Sequence, residues 1–598
     1  MFEKNRDKLD RLTNINIDSR KISKHMKKVE SATVRHTHKF LIKRWNNVRE
    51  VQIHVIGWII VIGLLIAATG LQLMWYQRGY LTKTASNDGT YAEAVLGPVD
   101  SLNPLFASSS AEQSLSNLMF SRILRYDNSG NLNYDLATNI KVDETGKIYS
   151  VSIRPDVKWH DGVLLKTEDI AFTIELIKNP NVHSMISGWN DIGVKVVNDT
   201  TIEFSLRSTY ASFKHALTFP ILPKHILGEI MPSKILEDKF SQEPIGSGPF
   251  VYGLTQNVDI SKNQKIISME SNKNYYGGNK KLARFQLHVY DTNAEIIDAL
   301  SMNKVNAAAD LLPSDIGHID LKKYNVLYKP VQSGVYALIN TKSKYLSDVM
   351  LRRALSYATS TEAIRKKIPA VTLPLDLPFT NGQLFGSVSS APKYDVATTN
   401  KILNDSGWIL NSKNEREKNG EQLKISVITM KNSELESVLE TIAGQWRSVG
   451  IVVETKVVDP TDITQNVTQT ILQPRSYDVL IYQLNIGADP DVYAYWHSSQ
   501  TSSNGLNFSN YSNLVSDDAL TSARSVMNNN LRNAKYITFA NQWLNDVPAI
   551  GLYQLNAQYV YSKNIQSISE NTKLVSSTDR YCDVLNWSVG SKTVYKTP

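Results

Sequence analysis

RPDVKWHDGVLLKTEDIAFTIELI, residues 154–177, changes character half-way along. Its first half carries Trp159, His160 and the pair Asp161-Gly162. That mixture invites a metal or catalytic reading, but His160 and Asp161 are adjacent and would diverge on a strand, and no second histidine lies at a metal-ligand interval. The better account is a tight reversal at Asp161-Gly162 with Trp159 packed beneath it. The second half, TEDIAFTIELIK (167–178), reads as a helix, with Thr167 as a capping residue and Glu168 and Asp169 placing negative charge at its start.

Outward from this segment, short β-like runs alternate with helical ones. KIYSVSI (147–153), TIEFSL (201–206), ARFQLHVY (283–290), VYALIN (335–340), LKISVIT (423–429) and YDVLIYQL (477–484) are expected strands. AEIIDALSM (294–302), VMLRRALSYAT (349–359) and LESVLETIAGQWRSVG (435–450) are expected helices, the last closing at Gly450. The result is a mixed α/β body without an evident internal repeat. PIGSGPF (244–250) lacks the Lys-Ser/Thr of a phosphate loop and reads as a turn. ADPDVYAYW (488–496) carries paired carboxylates, Asp489 and Asp491, around Pro490; they suit a strand end at the edge of a ligand cleft better than a glycosidase acid and base.

Residues 154–177 also resemble the signature of the family 5 extracellular solute-binding proteins, the oligopeptide, dipeptide and nickel binders of ABC importers. The resemblance runs through nearly the whole body in order: SLNPLF (101–106), LMFSRILRYDNSGNLNYDLAT (118–138), NDTTIEFSL (198–206), PILPKHIL (220–227), PIGSGPF, NKNYYGG (272–278), INTKSKYLSDVMLRRALSYAT (339–359), LNDSGW (403–408), RSVGIVVE (447–454), ADPDVYAYWHSS (488–499) and DVPAIGLY (546–553). It implies a two-lobed periplasmic-binding-protein-like fold of the large peptide-binding type. Lobe I would span 90–335 plus 556–598 and lobe II 336–555, closing on ligand by a hinge.

Charge is unevenly spread. Residues 1–50 hold fourteen Lys/Arg and six Asp/Glu, which accounts for the whole net charge of +8, so the remaining chain is formally neutral. A neutral body argues against nucleic acid as a partner. Residues 55–73, VIGWIIVIGLLIAATGLQL, run nineteen residues without a charge, long enough to cross a membrane. Trp58 and Trp75–Tyr76 mark the two interfaces, and the basic flank lies N-terminal, so the positive-inside rule places 1–50 in the cytoplasm and the body outside. The expected organisation is a basic cytoplasmic tail (1–50), a transmembrane helix (51–76), a linker (77–89) and the body. A cleaved signal peptide is the rival reading of the apolar segment. The single cysteine, Cys582, excludes an intramolecular disulfide and reads as a buried spare thiol.

The resemblance implies binding without catalysis, so no catalytic residue and no cofactor is expected. Seven body histidines, at 160, 183, 215, 225, 288, 318 and 497, form no close pair, and no metal site is expected. Cleft positions carried over from relatives are Ser108, Ser109 and Ser110 after SLNPLF; Tyr482, Gln483, Leu484 and Asn485 leaving a strand; and Tyr493 and Trp496 beyond it. Peptide-binding relatives hold the ligand's α-amino group with an aspartate just before this Asp-Pro-Asp segment, where this chain has Asn485, Ile486 and Gly487. Asp489 is the candidate substitute. The expected function is a monomeric, membrane-anchored receptor that captures a small solute, most readily an oligopeptide, and delivers it to importer permease subunits. The alternative is a ligand sensor or interaction protein that uses the same cleft and signals through the basic tail.

Overall fold

The computed structural model describes residues 27, 31, 52–85, 88–278, 280–309, 311–368, 372–460, 462 and 466–595. The expected tail therefore lies outside the described residues except for Lys27 and Ser31, as do residues 86–87 of the linker. The apolar segment is a single helix, α1 (Gln52–Tyr80), of which Gln52–Trp75 is long and apolar enough to span a bilayer. The side chains of residues 52–75 are exposed, Trp58 and Trp75 among them.

Residues 85–592 form a second unit. In chain order the elements that position its site are β1 (Gly89–Leu96), α2 (Ser110–Met119), β2 (Ala137–Val142), β3 (Ile148–Ile153), α3 (Thr167–Lys178), β4 (Gly193–Asn198), β5 (Thr201–Ser205), β6 (Phe250–Asp259), β7 (Gln264–Ser271) and β8 (Leu282–Tyr290). They continue with β9 (Ala307–Ala309), β10 (Tyr324–Ile339), β11 (Lys424–Met430), α4 (Ser433–Ser448), β12 (Val452–Val458), β13 (Val479–Asn485), α5 (Leu514–Ser525), α6 (Asn529–Asp546) and β14 (Ala549–Ser562). Every strand and helix expected from the sequence is present. Gly450 follows α4 with φ +89°, the left-handed residue that ends the helix.

Ten strands make one sheet, in the order β12-β11-β13-β10-β14-β9-β1-β8-β7-β6. Its axis is the antiparallel pair β10·β14, whose register runs from Tyr324↔Ser562 to Leu338↔Ala549. One end of that pair feeds a core around Tyr91, Leu115, Phe204, Phe250 and Trp587, and the other feeds cores around Ile339, Ile442 and Trp446 and around Leu480, Trp496 and Trp543. The body is thus a two-lobed α/β structure. A smaller antiparallel sheet, in the order β2-β3-β5-β4, belongs to the first core.

The segment around Trp159 is a turn as expected: Gly162 has φ +94°, and Trp159 is buried. The cap of α3 differs from expectation. Asp169, not Thr167, closes the helix start, its carboxylate accepting from Lys166 N–H (2.8 Å) and Lys224 N–H (2.9 Å). Thr167 instead donates its hydroxyl to the Asn198 carbonyl (2.5 Å). A carboxylate two residues inside the helix reaches both amides, whereas the threonine side chain is drawn to the neighbouring strand end. His160 ties this turn to PIGSGPF: its Nδ1 accepts from Gly246 N–H and its Nε2 contacts the Gly248 carbonyl, both at 3.1 Å. A Cβ on Gly246 would overlap the Met119 carbonyl, so glycine is required for the loop to lie against the end of α2.

The C-terminal stretch returns to the first core through charge. Arg580 donates to Glu93 Oε1 on β1 from Nη2 (2.6 Å) and Nε (3.1 Å), and Tyr581 (2.5 Å) and Tyr559 (2.6 Å) donate to the same carboxylate. Both charged side chains are at most 2 % exposed, so the pair depends on that full set of hydrogen bonds.

Candidate functional site

Asp489 and Asp491 lie just after β13, and each is taken up by an arginine. Arg532 of α6 grips Asp489 with two nitrogens (2.7 and 3.0 Å), and Arg524 of α5 donates to Asp491 (2.9 Å). Residues of the first lobe complete the cluster. Ser212 donates to Asp489 (2.7 Å) and accepts from Arg532 (2.9 Å), and Ala211 N–H donates to the Arg524 carbonyl (2.8 Å). The Arg524 guanidinium also lies over the rings of Tyr210 and Tyr493, 4.8 and 4.3 Å from their centroids. Burial alone would raise the Asp489 pKa, but the hydrogen bonds and charge of Arg532, with Ser212, hold it below the usual carboxylate value. The cluster is a latch between the lobes: each charge in it is matched.

His215, beside this latch, has Nε2 3.7 Å from Asp489 and Nδ1 3.0 Å from the Tyr126 hydroxyl. Burial lowers its pKa against the pull of Asp489, which favours the neutral ring. Tyr126 and His215 line a cavity of about 540 Å³ in the first lobe. This is an ordinary size for a small-molecule site. Its lining combines apolar side chains, among them Phe120, Met185, Trp189, Phe219 and Tyr275, with polar ones, among them Gln113, Asn117, Arg122, Arg125, Asp135 and Asp579.

The two lining carboxylates are engaged locally. Asp135 accepts from the Tyr276 hydroxyl (2.5 Å) and Arg122 N–H (2.9 Å); Asp579 accepts from Ser576 N–H (2.7 Å) and Oγ (2.8 Å). Burial raises Asp579 above the usual carboxylate range. Among the described residues, the Arg122 guanidinium donates only to Ser116 Oγ (3.3 Å), and Arg125 donates no side-chain hydrogen bond. Burial lowers Arg122; at Arg125 burial also acts to lower the value, but the charge of Asp135 together with Tyr275, Tyr276 and Cys582 leaves it raised. Cys582, also on the wall, is half-buried and its thiol is pushed up to about 12, chiefly by burial, so it is no nucleophile.

The ten positions expected from the sequence are scattered. Ser109 caps α2 in a reciprocal box with Glu112, whose other contacts include Ser108 N–H (2.8 Å) and Oγ (3.1 Å); Ser110 opens the helix. Leu484 and Trp496 are buried in the second lobe, Trp496 edge-on to Trp543 (5.5 Å), and Tyr482 packs on Phe508. Tyr493 stacks on His497 at 4.0 Å. Gln483 and Asn485 are exposed at the end of β13, where the Asn485 side chain accepts from Ser333 Oγ (2.9 Å) and Gln483 Nε2 (3.1 Å). Ile486, within the stretch 485–487 before Asp489, is buried. The cavity residues Asn117, Arg122, Arg125, Tyr126 and His215 were not expected. The one local signal was a pair of arginines three apart in the otherwise apolar run LMFSRILRY.

Among the described residues, no group of three or more His, Cys, Asp or Glu side chains converges as a metal site would require.

A family model described as bacterial extracellular solute-binding proteins, family 5 middle, matches residues 131–506. The oligopeptide-binding protein AppA of Bacillus subtilis is 24 % identical over 516 residues, 82 % of this chain and 91 % of its own length. Its solved structure, in complex with a nonapeptide, superposes with a TM-score of 0.69 at 22 % identity, over 85 % of this chain and all of that one. NikZ from Campylobacter jejuni, solved with Ni(L-His), gives a TM-score of 0.69 at 24 % identity, over 83 % of this chain and 99 % of that one.

Proposed function

Because the chain belongs to the family 5 bacterial extracellular solute-binding proteins, which bind substrates for ABC transporters and are not enzymes, we propose that its two-lobed body captures a peptide-like solute between the lobes and delivers it to an importer's permease subunits. It does so as a monomer held at the membrane by α1, with the basic tail inside the cell.

The observation that carries this reading is the cavity beside the latch. It is amphipathic, lined by both apolar side chains and hydrogen-bonding groups, and His215 in its lining adjoins the contact by which the lobes meet. A peptide offers the matching combination of apolar side chains and backbone polar groups. The likeness to a nonapeptide-binding relative supports the same class. The division into lobe I (90–335 plus 556–598) and lobe II (336–555) is supported by the cores, since Val331 packs with the first and Val335 with the second. On this reading β10 and β14 are the crossovers about which the lobes hinge.

The test is native mass spectrometry of the body, residues 86–598, followed by thermal shift against a tryptic digest of casein and against nickel–histidine. A ligand that binds only the folded body raises its Tm. Co-purified peptides and a shift with the digest are expected; a shift with nickel–histidine alone would replace the substrate class.

A further inference from the structure

We propose that the first-lobe cavity is a carboxylate-recognition site in which Arg125, assisted by Arg122 and Asn117, receives an acidic end of the solute. This rests on the solute-binding reading above and deepens it.

The first argument is charge left over. Arg125 lines the cavity half-buried, and among the described residues it has neither a side-chain hydrogen bond nor a carboxylate within ion-pair distance. The charge of Asp135 is felt by Arg125 and that of Asp579 by Arg122, yet the carboxylate oxygens accept from Tyr276, Ser576 and the Arg122 amide and not from Arg125. A guanidinium presents a planar fork of donors whose best partner is a carboxylate held by two parallel hydrogen bonds. A guanidinium that lines a cavity without a protein acceptor is therefore an unfilled recognition element.

The second argument is the neighbourhood. Asn117 spends its amide N–H on the Thr578 carbonyl (3.1 Å), which fixes the side chain beside the arginines. Trp189, Phe120 and Phe219 give the rest of the cavity an apolar surface suited to the body of an organic acid rather than to a hydrated inorganic anion. The third argument comes from the opposite lobe, where Asp489, the carboxylate expected to anchor an amine, is consumed by Arg532 and Ser212.

The experiment compares thermal shifts of the body with a casein digest untreated, with its carboxyls methylated, and with its amines acetylated. Hippurate and its uncharged amide form a second pair that does not depend on peptides. Untreated and acetylated digests and hippurate should raise Tm; the methylated digest and the amide should not. Arg125→Gln should weaken binding of the acids at least about tenfold, with Arg125→Lys intermediate, and leave the unliganded Tm unchanged. A shift that survives methylation but is abolished by acetylation overturns the site and keeps the peptide reading. Response to hippurate without response to any digest keeps the site and overturns the peptide reading. Equal response to acid and amide, or no loss in Arg125→Gln, overturns the site.

Discussion

Two arginine clusters lie on either side of His215, built from the same residue types. At the latch, Arg532 and Arg524 each hold a carboxylate at 2.7–2.9 Å, and Ser212 and Tyr210 of the first lobe fill in around them. In the cavity, Arg122 and Arg125 have no carboxylate at that distance, because Asp135 and Asp579 are turned to other donors. The difference separates two uses of charge. A buried pair with both partners matched holds structure in one geometry, and removing one partner strands the other; a charge without a partner is available to a ligand.

The largest expected effect is at the latch. Arg532→Ala leaves Asp489, whose side chain is 12 % exposed, without its counter-charge, and should cost about 3–5 kcal/mol in urea unfolding. An equal loss from Arg125→Ala would break the comparison. Next is the coupling between the partners: a double-mutant cycle of Asp489→Ala and Arg532→Ala should return about 1–3 kcal/mol of interaction energy.

Acid should reveal the same pairing. The folded-state pKa values of His215 and Asp489 are both depressed. A depressed value means stability that is full above the unfolded-state pKa, about 6.5 for histidine and about 3.9 for aspartate, and lost as pH falls through the folded one. Thermal melts from pH 7 to pH 3 should show an upper stage from the neutral histidines, including His160 and His288, both lowered by burial to about 4. A lower stage from Asp489 should vanish in Asp489→Asn. Ser212→Ala removes two charge-assisted hydrogen bonds, to Asp489 and from Arg532, and should cost about 1–3 kcal/mol. The smallest effect is expected in the cavity, where Arg125→Gln should change stability by less than about 0.5 kcal/mol. That contrast would sharpen the distinction between a latch and a binding group.

The elements were legible because each is specified locally. Period, β-branched content and turn residues within about ten positions sufficed for α3, β11 and β13, and Gly450 marked the end of α4. The cap of α3 was misassigned by two residues because Thr167 and Asp169 are both competent to cap, and the choice was made by Lys224 and Asn198, more than thirty residues away. The site was less legible for the same reason on a larger scale. Asp489 and Asp491 resemble ligand groups until α5 and α6 bring Arg524 and Arg532 to them, and Arg125 resembles an ordinary surface arginine until Trp189, His215 and residues 575–585 enclose it.

By itself, the sequence determined the α/β class, the long apolar helix, the charge partition and the family of the body, since all of these are recorded in composition, periodicity and ordered motifs. Only the tertiary structure decided which charges are spent and which are free. Ser212 and Asp489 are 277 residues apart, and whether a carboxylate has a partner depends on where the chain topology sets the two groups in space.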